Sequence, residues 1–165
     1  MRREMDDRAK QALKTFEEHL SEIDEVTHTV VKAHLIVEEA LNRGLEVAFP
    51  NSQYITSLNL RFYQKVQLLR AVSGKYHDEL VWELVLALNE LRNAIAHSLS
   101  SPRIQEKARA LRTSYFRAAE GYPELDEQKK QPDHMIVAFA AVLAVGMLHG
   151  LYLIHTELRN NGGRI

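Results

Sequence analysis

Leu80-Val81-Trp82-Glu83-Leu84-Val85-Leu86-Ala87-Leu88-Asn89-Glu90-Leu91-Arg92-Asn93-Ala94-Ile95-Ala96-His97 decides the reading of the fold. Leu80, Leu84, Leu88, Leu91 and Ile95 recur every three or four residues, the spacing of one helix face. Val81, Trp82, Val85 and Leu86 widen that face until little of the girth is polar. A helix so apolar is expected at the centre of a bundle, so the spacing predicts a central helix over residues 77 to 97. Its last six residues bring together an arginine, an amide and a histidine, Arg92, Asn93 and His97. No other stretch concentrates groups able to hold a phosphate and move a proton.

The flanking sequence continues the helical pattern. Ala9, Ala12, Leu13, Phe16 and Leu20 predict a first helix over 7–22, and a second is expected from about Asp24, a candidate N-cap, to Phe49. Along it Val30, Ala33, Val37, Ala40, Gly44 and Ala48 form a stripe of mostly small residues that lets another backbone approach closely. Pro50-Asn51-Ser52 ends it. After a loop with Ser57 as its expected cap, a third helix spans 60–72 and Ser73-Gly74-Lys75 breaks it. Ser101 and Pro102 open a fifth helix over about 102–120, Gly121-Tyr122-Pro123 stops it, and residues 124–133 read as a polar loop. A last helix is expected over about 134–159. There is no internal repeat and no strand-period run. The expected fold is all-α: one helical domain over 1–165, with its core in about 24–159, built as a bundle of five to six helices.

The chain has 165 residues, enough to bury a core without disulfides, and it has no cysteine. That excludes a thiolate nucleophile and thiolate zinc sites. The histidines lack zinc-site spacing, so neither a metal nor a cofactor is expected. With 21 basic and 22 acidic residues, nucleic acid could be held only by a local patch. The charged start, Met1-Arg2-Arg3-Glu4-Met5-Asp6-Asp7, lacks the apolar centre of a signal peptide, and a cytoplasmic location is expected. Met135 to Ile154 is nearly continuous apolar sequence of spanning length, but it is alanine-rich and holds His149. Its expected role is a buried core or dimer-interface helix, with no membrane contact.

Metal-free cleavage of RNA needs a proton acceptor for the ribose 2′-hydroxyl, a fixed positive charge on the phosphate and a donor to the leaving oxygen. Histidine suits the proton work because its pKa lies near neutrality. Arginine suits the phosphate because its planar fork stays charged and pairs with two oxygens. Asparagine can orient either. In a regular helix Asn93 and His97 share a face, while Arg92 lies about 140° from His97. The length of arginine, a helix end or distortion at Ala96-His97-Ser98, or a second chain could close that gap. The plainer alternative pairs Arg92 with an acid and sets His97 as a cation at a helix C-terminus.

Leu91-Arg92-Asn93-Ala94-Ile95-Ala96-His97 resembles the signature of HEPN domains: an arginine, a polar residue and a histidine after four intervening residues. These are helical, usually dimeric proteins, many of them metal-independent ribonucleases of toxin–antitoxin, abortive-infection and CRISPR systems. The resemblance implies a homodimer whose two motifs face each other across a cleft, an RNA substrate and an antitoxin protein as partner. It assigns proton transfer to His97, phosphate stabilisation to Arg92 and orientation to Asn93. The mannitol-repressor-like helical proteins are similar too, and they imply the alternative, a non-catalytic dimer acting as regulator or scaffold.

Two further groups are candidates. Arg103, Lys107, Arg109, Arg112 and Arg117 make the fifth helix the most basic segment, as an RNA-binding surface or simply a solvated face. Glu38 and Glu39 interrupt the apolar run Leu35-Ile36-Val37 and read as exposed charge, the alternative being that one of them is a partly buried partner of Arg92 or Lys32.

Overall fold

The computed structural model describes residues 25–76, 78–97 and 101–161. The helix expected over 7–22, the Asp24 cap and the turn at 98–100 lie outside the described residues. The described chain is all-α, with no strand among its residues. Its helices are α1 (Glu25–Ala48), α2 (Ser52–Thr56), α3 (Phe62–Val72), α4 (Glu79–His97), α5 (Ser101–Ala118), α6 (Leu125–Gln128) and α7 (Asp133–Asn160), with a 3-10 turn at Gly74–Tyr76.

Helix α4 is the centre. It packs against α1, α3, α5 and α7. Val81, Trp82, Leu84, Val85, Leu88, Leu91 and Ala94 are buried, on the wide apolar face that the sequence predicts. Its start is fixed by Asp78, whose Oδ1 accepts from the Leu80 N–H at 3.1 Å and the Val81 N–H at 3.3 Å. A carboxylate there satisfies two otherwise unpaired helix N–H groups.

The small-residue stripe of α1 faces inward, with Val30, Ala33, Val37, Gly44 and Ala48 all buried. Gly44 shows why it is small: a Cβ there would lie 3.1 Å from Leu69 Cδ1 of α3. Helix α7 closes on α1, and α5 closes on α4. Glu25 Oε2 lies 3.3 Å from His134 Nδ1, so α1 and α7 begin side by side and run in the same direction. Lys107 to Glu90 (3.6 Å) and Arg117 to Glu83 (2.8 Å) fix α5 antiparallel to α4.

Two local expectations are corrected. Ser57 does not cap the third helix; it follows the short α2 as its C-terminal cap. The start of α3 is closed instead by Gln64, whose Oε1 accepts from the Arg61 N–H at 2.8 Å. The loop over 124–133 contains α6, a single turn that Arg112 ties down by donating to the Gln131 carbonyl at 3.1 Å. Gly121, with φ of 92°, ends α5 in the left-handed conformation that glycine adopts without strain.

Only one side of α7 is buried. Ile136, Val137, Ala140, Ala144, Leu148 and Leu151 enter the core, while Val142, 72% exposed, and Leu153, 48% exposed, face outward. By length and composition alone α7 could cross a membrane, and it is the one described helix of which this is true.

Candidate functional site

On α4 the polar residues Asn89, Arg92 and Asn93 stand at i, i+3 and i+4, a half-buried stripe beside the apolar face. Arg92 Nη1 donates to Asn93 Oδ1 over a long 3.4 Å. Among the described residues no carboxylate lies within ion-pair distance of Arg92. Eight other arginines and lysines of the described helices and loops are paired with acids, so this half-buried guanidinium is distinguished by keeping its charge uncompensated.

Beside Arg92 the fold assembles a polar cluster from three helices. His34 of α1 is buried, stacked on Phe62 of α3 with ring centroids 4.5 Å apart. Its Nε2 lies 3.2 Å from Asn89 Oδ1; with that oxygen as acceptor, Nε2 carries the proton. Its Nδ1 is 3.9 Å from Glu38 Oε2, and Glu38 in turn accepts from Lys65 Nζ of α3 at 2.7 Å. The Lys65 side chain is only 14% exposed.

Burial pushes the His34 pKa below its ordinary value, with Arg92 and Lys65 adding to the depression and Asn89 and Glu38 opposing it. His34 is therefore the neutral member of a cluster that holds two cations and one anion. His155 of α7 is depressed as well, by burial, and its Nδ1 has no hydrogen-bond partner among the described residues.

Both histidines make stability pH-dependent. A lowered folded pKa means that the unfolded chain binds the proton more readily, so their contribution is fully present above the unfolded value of about 6.5 and is lost as pH falls towards the folded values. Denaturant titrations between pH 7.5 and 5.5 should show stability dropping on the acid side. The slope should flatten in a variant carrying His34→Gln and His155→Gln. An unchanged slope in that variant would assign the acid sensitivity to other groups.

His97 is the last residue of α4 and is exposed. The helix runs unbroken from Glu79 through His97, so a distortion at Ala96-His97 does not bring His97 round to Arg92. Within one chain the two side chains leave α4 about 140° apart. Asn93 shares the face of His97 and touches Arg92, and is the geometric link between them.

The basic helix divides. Lys107 pairs with Glu90 and Arg117 with Glu83. Arg112 holds Asp133 at 3.0 Å as well as the loop carbonyl, with its guanidinium 5.4 Å from the Phe116 ring. Arg103 and Arg109 are exposed and have no ion pair among the described residues. The antiparallel register set by Lys107 and Arg117 places Arg103 at the His97 end of α4.

Glu39 is exposed, as expected of it, and binds Arg43 at 3.1 Å. Glu38 is half-buried, and its partner is Lys65, not Arg92 or Lys32. His34, Lys65 and Asn89 are the members of the cluster that the sequence did not single out. One signal was there: His34 falls among the small apolar positions Val30, Ala33 and Val37, where a polar ring must find partners. Among the described residues no group of three or more histidines and acids could hold a metal ion.

In comparisons with protein-family models, curated proteins and solved structures, nothing matches the chain. The functional reading therefore depends on the residues themselves.

Proposed function

We propose that this protein is a metal-independent endoribonuclease of the HEPN type, cytoplasmic, acting as a toxin or in phage defence, with its site completed by a second copy of the chain. The observation that carries the reading is Arg92, a half-buried guanidinium without a carboxylate, set on a polar stripe next to a neutral histidine and a second cation. Such a group binds an anion with two oxygens more favourably than it binds water, because part of its desolvation is already made.

In the proposed reaction the ribose 2′-oxygen attacks phosphorus as His97 takes its proton. The phosphorus–O5′ bond breaks, the 5′-oxygen leaves with a proton taken from water, and a 2′,3′-cyclic phosphate remains. Arg92 neutralises the charge that grows on the phosphate oxygens, and Asn93 keeps the guanidinium in place. Because Arg92 and His97 diverge on one helix, the arginine of one protomer works with the histidine of the other, across a two-fold cleft. Arg103, at the His97 end, and Arg109 are the free cations left to follow the RNA backbone.

Mixing the two dead variants tests the shared site. Arg92→Ala and His97→Ala chains, each inactive alone, should regain cleavage when unfolded together and refolded. Heterodimers carry one intact arginine–histidine pair, so about a quarter to a half of wild-type activity should return. No recovery from a mixture that demonstrably forms heterodimers would exclude a site shared between chains.

A second reading is a non-catalytic dimer that regulates or scaffolds, in the manner of the mannitol-repressor-like proteins. It is favoured by the ion pairs that neutralise Lys107, Arg112 and Arg117 and leave little basic surface for RNA. A purified dimer inert on every RNA, with or without an antitoxin protein, would select it.

A further inference from the structure

At the end of the bundle away from Arg92, the start of α4, the end of α5 and the middle of α7 leave a cleft of about 390 Å³. From Asp78 to Arg92 the helical rise of about 1.5 Å per residue amounts to about 21 Å, so the cleft is separate from the proposed reaction centre. Its floor is apolar, with Val81, Tyr115 and Ala119 all buried. Phe139, Leu143 and Met147 of α7 form a half-buried wall. The Tyr115 and Phe139 rings stack with centroids 6.3 Å apart, so aromatic carbon lines both floor and wall.

The rim is different. Asp78 and Tyr122 are exposed there. The Lys107–Glu90 and Arg117–Glu83 pairs set the register of α5 on α4, and that register brings Asp78 level with Tyr122. Of the described residues that line the cleft, Asp78 is the one charged side chain. Its Oδ1 accepts from the Leu80 and Val81 N–H groups, and it has no ion pair among the described residues. Burial, with Tyr122 adding to it, pushes the Tyr115 phenol above its ordinary pKa, so Tyr115 stays neutral and donates to Gln128 Oε1. On the α7 side the cleft is open, because a Cβ on Gly146 would meet nothing within 4 Å.

We propose that this cleft binds a small aryl-alkyl amine, with its ring on the apolar floor and its ammonium group at the rim beside Asp78 and Tyr122. A mostly apolar cleft of this size with a few polar groups at one end suits a small molecule. An apolar floor under a single anionic rim selects an amphipathic cation. The ring leaves water, while the ammonium stays partly hydrated and meets a carboxylate. The face of the Tyr122 ring attracts the same charge. A carboxylate ligand of the same shape would bring like charges together at Asp78.

Tryptamine and indole-3-propionate, which share a ring and carry opposite charge, test this against the full-length protein by amide-resolved NMR titration. Tryptamine should shift the signals of Ala119, Gln128 and Met147 and leave those of Leu35 and Ile36 in place. Indole-3-propionate should bind at least roughly tenfold more weakly, as like charges at a binding site require. Asp78→Asn keeps a good helix cap and removes the charge, so α4 stays formed. It should weaken tryptamine roughly three- to fivefold, the upper range for an exposed ion pair, and narrow the gap between the two ligands. Tyr122→Ala should weaken tryptamine about two- to fivefold, and Tyr122→Phe, which keeps the ring, should restore it. Equal binding of the two ligands, or unchanged tryptamine affinity in Asp78→Asn, would overturn the proposal. So would shifts centred on Leu35 and Ile36, or no binding of tryptamine at all.

Discussion

Arg92→Ala and His97→Ala should each abolish RNA cleavage while the helical bundle stays folded. Neither side chain is part of the core: His97 is exposed, and Arg92 makes only a long contact to its neighbour Asn93. Loss of activity in these variants would therefore report chemistry and not unfolding. General acid–base catalysis contributes typically 10²–10⁴-fold, and the loss in His97→Ala should be at least on that order. Arg92→Lys should remain largely inactive, because an ammonium cannot reproduce a planar two-pronged contact. Cleavage should survive EDTA, since the proposed mechanism uses no metal. Single-stranded RNA incubated with the purified protein, with products resolved for 2′,3′-cyclic ends, gives the measurement. Activity that persists in His97→Ala, or vanishes with the chelator, would defeat this mechanism.

The same two residues show where sequence reading stops. Periodicity along one helix is local, so the apolar face of α4 and the small face of α1 can be read directly from the chain. Val30, Ala33, Val37, Leu84, Leu88 and Leu91 are buried as their spacing requires. Contacts between helices carry no such signature. His34 and Asn89 are 55 residues apart and meet only because α1 and α4 pack side by side. The Lys65–Glu38 pair likewise depends on how α3 lies on α1, so nothing local in the sequence names Lys65 as the partner of Glu38.

Short elements are hidden for a different reason. Ser52–Thr56 and Leu125–Gln128 have five and four residues, too few for a helical period to emerge. Ile55 of the first packs on the core, and the second is tied down by hydrogen bonds. Tyr115 donates to Gln128 Oε1, and Arg112 reaches the carbonyls that follow α6. Tertiary anchoring, not local propensity, makes these turns.

Leu88→Ala should cost about 2–5 kcal/mol in denaturant unfolding, the usual range for truncating a buried leucine. The residue is fully buried, in the middle of the helix that touches α1, α3, α5 and α7, so the cavity would be lined from several sides at once. Rigid helices on several sides relax poorly into a cavity, which favours the upper part of that range. The site should suffer with the core, because Leu88 immediately precedes Asn89 and lies one turn before Arg92 and Asn93 on the same helix. A loosened α4 would free Asn89 from His34 and release the stripe that holds Arg92. His34→Gln offers the comparison: it disturbs that contact without opening a cavity at Leu88. A Leu88→Ala protein that loses less than about 1 kcal/mol would mean that α4 is not the central helix and that the stripe is not supported by the core.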